Sequence, residues 1–87
     1  MTSTATTHWV LTFVCEDKPG IVHAISGAIV AANGNITESH QYTSLDTGRF
    51  FMRVHFSTAA GGPGLAELRA AFAPVGEQFG MQWEVFD

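Results

Sequence analysis

The sequence has 87 residues, of which 46% are hydrophobic, and its formal net charge is −4 with only four lysine and arginine residues. This length suggests a single domain with enough apolar side chains to form a core. The scarcity of basic residues argues against nucleic-acid and membrane partners, since a nucleic acid or an anionic membrane surface is bound through clustered positive charge and no apolar run is long enough to span a bilayer.

The chain begins with a polar segment that leads into a predicted strand. Residues 1–7 lack the basic start and the apolar centre of a signal peptide, and we interpret them as a disordered tail of a cytoplasmic protein. Residues 8–15 are rich in β-branched and aromatic side chains, and alternate residues from Trp9 to Cys15 form one apolar face. Cys15 is the only cysteine, so no internal disulfide is expected, and its position on that face indicates a buried structural residue.

The segment 19–33 is predicted to form the first helix. Apolar side chains recur at helical spacing at Ile21, Ala24, Ile25, Ala28, Ile29 and Ala32. Asp17 is placed to cap the start of this helix, and Pro19 suits its first turn. The pair Asn33-Gly34 is typical of a helix end.

Two further strands are predicted at residues 35–43 and 48–56, joined by a short turn. A turn with only residues 46 and 47 between the paired ends would set two pairs of polar residues opposite each other: Glu38 and His55, His40 and Arg53. That register also places Ile36 on the polar face of the sheet. A bulge or a longer turn would avoid this, and the sequence leaves the register open.

The remaining segments complete a βαββαβ order. Residues 57–64 indicate a small, flexible loop, and helical spacing from Leu65 to Phe79 predicts a second helix, kinked or interrupted at Pro74. Residues 81–87 are predicted to form the last strand. This order indicates an α+β, ferredoxin-like sandwich in which a four-stranded antiparallel sheet carries both helices on one face.

No group of residues is typical of an enzyme active site, so the 87 residues are not predicted to be catalytic. Glu16 and Asp17 are adjacent carboxylates, which usually point apart, and the glycine-rich segment 57–64 lacks the lysine of a phosphate-binding loop. Two histidines, His40 and His55, come close across the predicted hairpin, but no third ligand for a metal ion is present. We therefore expect neither a metal nor a cofactor.

Two motifs give the sequence a family resemblance. Residues 17–22 (DKPGIV) follow the first strand, and residues 32–36 (ANGNI) open the second. With the βαββαβ order, they make residues 8–87 resemble an ACT domain. The resemblance implies a regulatory domain that binds an amino-acid effector, typically at an interface between two such domains, and therefore a homodimer or higher oligomer. By motif position, the effector-binding residues would be Asp17, Lys18, Gly20, Ile21, Asn35 and Ile36.

The segments 47–56 and 79–83 narrow this resemblance. They are similar to the N-terminal ACT domain of the formyltetrahydrofolate deformylases, hydrolases that release formate for purine synthesis in one-carbon metabolism. That similarity implies regulation by methionine or glycine, with the catalytic residues in a separate domain. Two alternatives stay open: a stand-alone ACT protein that acts through protein partners, and a structural dimerisation module whose pocket is vestigial.

Overall fold

The structure, a computed structural model, describes residues 6–87. The elements follow one another as β1 (Thr6–Glu16), α1 (Ile21–Ala31), β2 (Asn35–Ser44), β3 (Arg49–Ala59), α2 (Leu65–Phe79) and β4 (Gln82–Phe86). The sheet has the strand order β2-β3-β1-β4, and neighbouring strands are antiparallel. The predicted βαββαβ fold is confirmed. Among the described residues, neither helix combines the length and hydrophobicity needed to cross a bilayer.

The core lies between the two helices and one face of the sheet. Alternate residues of β1 and β3 are buried, and they meet the buried side of each helix. Helix α1 contributes Ile21, Ile25 and Ile29, which lie on one side of the helix because they recur every four residues. The opposite face of the sheet is not covered by either helix, and we call it the open face. The side chains on this face therefore do not pack against the helices.

The β2–β3 hairpin, whose register the sequence left open, combines the polar pairs with a bulge. Glu38 lies opposite His55 and His40 lies opposite Arg53, while the register shifts between Ile36 and Glu38. Because a shift of one residue exchanges the two faces of a strand, it turns Ile36 toward the helices, opposite the buried Phe56.

Strand β3 is longer than the sequence indicates, and the predicted loop at 57–64 is wrong in its first three residues. Those residues, Ser57 to Ala59, pair with the beginning of β1. The buried hydroxyl of Thr58 accepts a hydrogen bond of 3.0 Å from the indole Nε1 of Trp9. Strand β1 itself begins at Thr6, and residues 1–5 of the predicted tail lie outside the described residues.

Helix α2 passes through Pro74 without interruption, so the predicted break is absent. Pro74 lies on the exposed side of the helix, whereas Phe72 and Gly76 lie on the buried side. Packing of both halves against the sheet holds the helix together across the hydrogen bond that proline cannot donate. The ring of Trp83 on β4 lies against Gly76, where any side chain would collide with it.

Candidate functional site

The candidate site begins with the turn between β1 and α1. Gly20 has φ 91° and ψ −3°, which is the conformation of the third residue of a type II turn, and Pro19 occupies the preferred second position. The helix begins only at Ile21, so Pro19 precedes it and does not form part of its first turn. The Pro-Gly pair thus sets the direction in which α1 leaves the sheet.

The predicted capping role of Asp17 is wrong. Gly20 occupies the N-cap position, and no side chain caps α1. The backbone N–H of Asp17 instead donates to the carbonyl of Gly48 at 3.0 Å, which ties the β1–α1 turn to the β2–β3 hairpin. The first intrahelical bond runs from Ala24 to Gly20, so the amides of residues 21–23 have no intrahelical acceptor.

The residues that carry these amides line a shallow cavity of about 250 Å³, which we call the turn cavity. It is lined by Asp17, Lys18, Gly20, Ile21, Val22, His23 and Phe50. The N-terminus of a helix carries a partial positive charge, and the Lys18 ammonium adds a full one. Asp17 supplies the opposite charge. An α-amino acid carries both a carboxylate and an ammonium group, so these charges complement it.

Four of the six predicted effector-binding residues line the turn cavity, and the sequence missed three of its lining residues. The side chain of Ile21 is only 2% exposed, so its backbone N–H is what it offers to a ligand. Val22 and His23 were identifiable as the second and third residues of the helix. Phe50 lies opposite Cys15 in the sheet, a pairing that depends on long-range register and has no local sequence signal.

The other two predicted residues, Asn35 and Ile36, lie at the far end of the sheet. The turn cavity follows Glu16, which pairs with Arg49, whereas Asn35 pairs with Ser57. These partners are eight residues apart on β3, which corresponds to about 27 Å of strand. That distance exceeds the length of an amino acid, so Asp17 and Asn35 of one protomer cannot both contact one ligand, and their predicted shared role requires a second copy.

Cys15 ends the buried side of β1 just before the turn. Burial raises the pKa of its thiol, although the positive charges of Lys18 and Arg49 oppose the shift. A buried thiol with a raised pKa is a poor nucleophile, which agrees with the predicted structural role. Within residues 6–87, no three histidine, cysteine or acidic side chains are arranged to hold a metal ion.

Comparison with known proteins agrees with this architecture. Residues 9–73 match the family model for the ACT domain. The formyltetrahydrofolate deformylase of Bacillus subtilis strain 168 is 44% identical over 72 residues, which are 82% of this chain and 24% of the relative. The crystal structure of a formyltetrahydrofolate deformylase from Pseudomonas putida KT2440 superposes with a TM-score of 0.84 at 31% identity, over 93% of this chain and 29% of that one.

A shorter solved protein shows the same fold. The ACT domain protein from Streptococcus pneumoniae has a TM-score of 0.77 at 24% identity, over 98% of this chain and 90% of that one. By contrast, the chain spans about a quarter of the length of the curated deformylases that it matches. The match to the family model covers most of the sequence, and the chain belongs to the ACT domain family.

Proposed function

We propose that this chain is a regulatory domain that binds an amino-acid effector at the turn cavity. The observation that carries the proposal is the uncapped start of α1, whose first residues line the same cavity as Lys18 and Asp17. The amides of residues 21–23 and Lys18 would receive the effector carboxylate, and Asp17 would receive its ammonium group. Phe50 offers an apolar surface for an effector side chain.

The similarity to formyltetrahydrofolate deformylases supports a more specific proposal. The domain would regulate a cytoplasmic protein with that hydrolase activity, and methionine and glycine are the first effectors to test. Catalysis would belong to other parts of such a protein, because residues 6–87 offer a buried cysteine and no group of metal ligands.

A symmetric dimer would reconcile the two separated groups of predicted residues. If β2 of two copies paired antiparallel about a twofold axis, the start of one β2 would lie beside the end of the other. Asn35 and Ile36 of one copy would then approach the end of the sheet that carries the turn cavity of the second. An effector bound there would contact both copies, which would explain how Asn35 serves the site without being near it in its own protomer.

The surface around β2 supports such a dimer. Strand β2 is an edge strand, and most of its residues are exposed on both faces of the sheet. The neighbouring helix α1 contains no charged residue, and its outer side exposes Val22 and Val30, the latter to 67%. An unpaired edge beside an uncharged apolar helix is a surface that proteins usually cover.

A binding experiment tests the effector proposal. Methionine and glycine are titrated separately into the 87-residue chain by calorimetry, and thermal unfolding is followed with and without each amino acid. An effector at one hundred times its dissociation constant stabilises the folded state by about 2.7 kcal/mol, which raises the melting temperature clearly. Lys18→Gln should weaken binding, whereas Arg69→Gln, an equal change of charge on the exposed side of α2, should not.

Failure of both amino acids to bind would contradict methionine and glycine as effectors of this chain. If no common amino acid binds and sedimentation still shows a dimer, the dimerisation module is the better function, and the surface of α1 and β2 favours that alternative. A chain that stays monomeric through the micromolar range would count against both the dimer and the shared site.

A further inference from the structure

The open face carries a second cluster of side chains, on the opposite side of the sheet from the turn cavity. Two rows of residues cross the strands there, as the register of the sheet dictates. The first row runs from Val14 through Phe51 to Tyr42, and the second runs from Thr12 through Arg53 to His40. Phe50 and Phe51 are neighbours in sequence, but they point to opposite faces of the sheet because side chains alternate along a strand.

The first row contains an exposed aromatic pair. The rings of Tyr42 and Phe51 are stacked with centroids 4.9 Å apart and planes inclined by 14°. Tyr42 is 63% exposed, so the pair does not belong to the core. An aromatic pair stabilises a protein more when it is buried than when it is exposed. The position of this pair on an uncovered face therefore suits contact with another molecule.

The second row contains a cation that forms no direct ion pair. The Nε atom of Arg53 donates a hydrogen bond to Nε2 of His55 at 3.2 Å. The terminal nitrogens of the guanidinium group are left to donate to a ligand. No carboxylate of residues 6–87 lies within ion-pair distance of Arg53. The nearby acid Glu38 is bound to His40 at 2.8 Å, and this hydrogen bond lowers the pKa of the Glu38 carboxyl group. The other basic residues of the described chain, Lys18, Arg49 and Arg69, also form no ion pair, so Arg53 is distinguished by the two aromatic rings beside it.

The two rows border a groove of about 330 Å³. It is lined by Thr12, Phe13, His40, Gln41, Tyr42, Phe51, Met52 and Arg53. Its volume lies at the lower end of the range for small-molecule sites, which begins at about 300 Å³. A groove of this size, with two rings beside one guanidinium group, suits a small planar anion.

We propose that the open-face groove binds a planar aromatic anion. The anionic group pairs with the terminal nitrogens of Arg53, which can hold a carboxylate or a phosphate through two parallel hydrogen bonds. The aromatic ring of the ligand packs against Tyr42 and Phe51. This site is independent of the effector site, since the sheet separates it from the helices and the ligand requires no ammonium group.

The test uses four small probes on the 87-residue chain labelled with nitrogen-15. Indole-3-acetate supplies a ring and a carboxylate, and phenyl phosphate supplies a ring and a phosphate. Benzamide lacks the charge, and cyclohexanecarboxylate lacks the aromatic ring. We expect saturable shifts of the amides of Tyr42, Phe51 and Arg53 with one or both aromatic anions, and at least tenfold weaker effects with the two controls. The stronger aromatic probe identifies the anionic group.

Two variants locate the site. Arg53→Gln and Tyr42→Ala replace exposed side chains, so each should fold, as its amide spectrum will show. Each variant is expected to bind the better probe with about tenfold lower affinity, since a charged hydrogen bond or an aromatic contact is lost. The matched control Arg69→Gln on α2 should leave affinity unchanged.

Three results would overturn the proposal. The first is the absence of shifts at Tyr42, Phe51 and Arg53 with either aromatic anion. The second is equal weakening by Arg53→Gln and Arg69→Gln, which would indicate attraction by overall charge alone. The third is a shift of the open-face amide signals that depends on protein concentration and not on probe concentration, which would show that a second copy covers this face.

Discussion

Replacing each of the two glycines within the helices by alanine should change the free energy of unfolding, with opposite signs at the two positions. A Cβ atom at Gly76 would lie 2.4 Å from Nε1 and 2.7 Å from Cδ1 of Trp83, so the indole would have to move. At Gly27, on the exposed side of α1, a Cβ atom would meet nothing within 4 Å. Alanine is the better helix former at both positions, which isolates the collision with Trp83 as the difference between them.

The expected magnitudes follow from these contacts. Overpacking a core by one methyl group costs about 1–3 kcal/mol, and displacing Trp83 also weakens its edge-to-face contact with Phe72, which has a centroid distance of 6.1 Å. That aromatic contact contributes about 1 kcal/mol. The higher helix propensity of alanine offsets about 1 kcal/mol of this cost. Gly76→Ala should therefore lower the free energy of unfolding by about 2 kcal/mol, and Gly27→Ala should raise it by about 1 kcal/mol.

Urea unfolding followed by circular dichroism measures both values, and near-ultraviolet signals report the packing of Trp83. Each variant is studied at two protein concentrations, because Gly27 lies on the side of α1 that the proposed dimer would cover. If Gly76→Ala proved as stable as Gly27→Ala, the indole would be free to move aside, and the close packing of α2 on β4 would not limit stability.

Three further predictions concern single residues outside the α2–β4 contact. Asn33 has φ 61° at the end of α1, so Asn33→Gly should stabilise the fold by about 0.5–1 kcal/mol in urea unfolding, whereas no gain would mean that the asparagine side chain compensates. His40→Gln should raise the pKa of Glu38, because the hydrogen bond from His40 is its main perturbation, and His23→Gln should leave it unchanged in a carbon-13 NMR titration. The sign follows from the lowered pKa: any stability from this exposed pair is present at higher pH and is lost as pH falls through the folded-state pKa of Glu38. Gly20→Ala should cost about 1–2 kcal/mol because φ is 91°, whereas Gly20→Asn should cost less, and equal losses would exclude backbone strain as the cause.

The fold could be predicted because its signals are local and mutually consistent. Alternation in β1 and β3, four-residue spacing in α1 and the turn residues between them all indicate the same order. The bulge near Ile36 was also accessible, since a continuous strand would have turned an isoleucine to the polar face. The extension of β3 to Ala59 was not, because it depends on pairing with β1 and on the hydrogen bond between Trp9 and Thr58, both of which join distant parts of the sequence.

The candidate site divides in the same way. Lys18, Gly20 and the first residues of α1 are neighbours in sequence and form one cavity. Asn35 is also close in sequence, but α1 carries the chain to the other end of the sheet before β2 begins. A motif that contains both places therefore does not describe one pocket of one protomer. In the proposed dimer, it would describe two surfaces that a second copy brings together.

The start of α1 shows why the Pro-Gly turn is more than a connection between elements. A capping side chain would stabilise the helix by about 1 kcal/mol, and Asp17 lies too early in the turn to act as one. The helix is held instead by the buried side chains of Ile21, Ile25 and Ile29. Its first amides therefore lack a side-chain acceptor as well as an intrahelical one, at a turn where φ is 91°. A bound carboxylate would supply the missing acceptors, so effector binding and the stability of α1 would be coupled through the same amide groups.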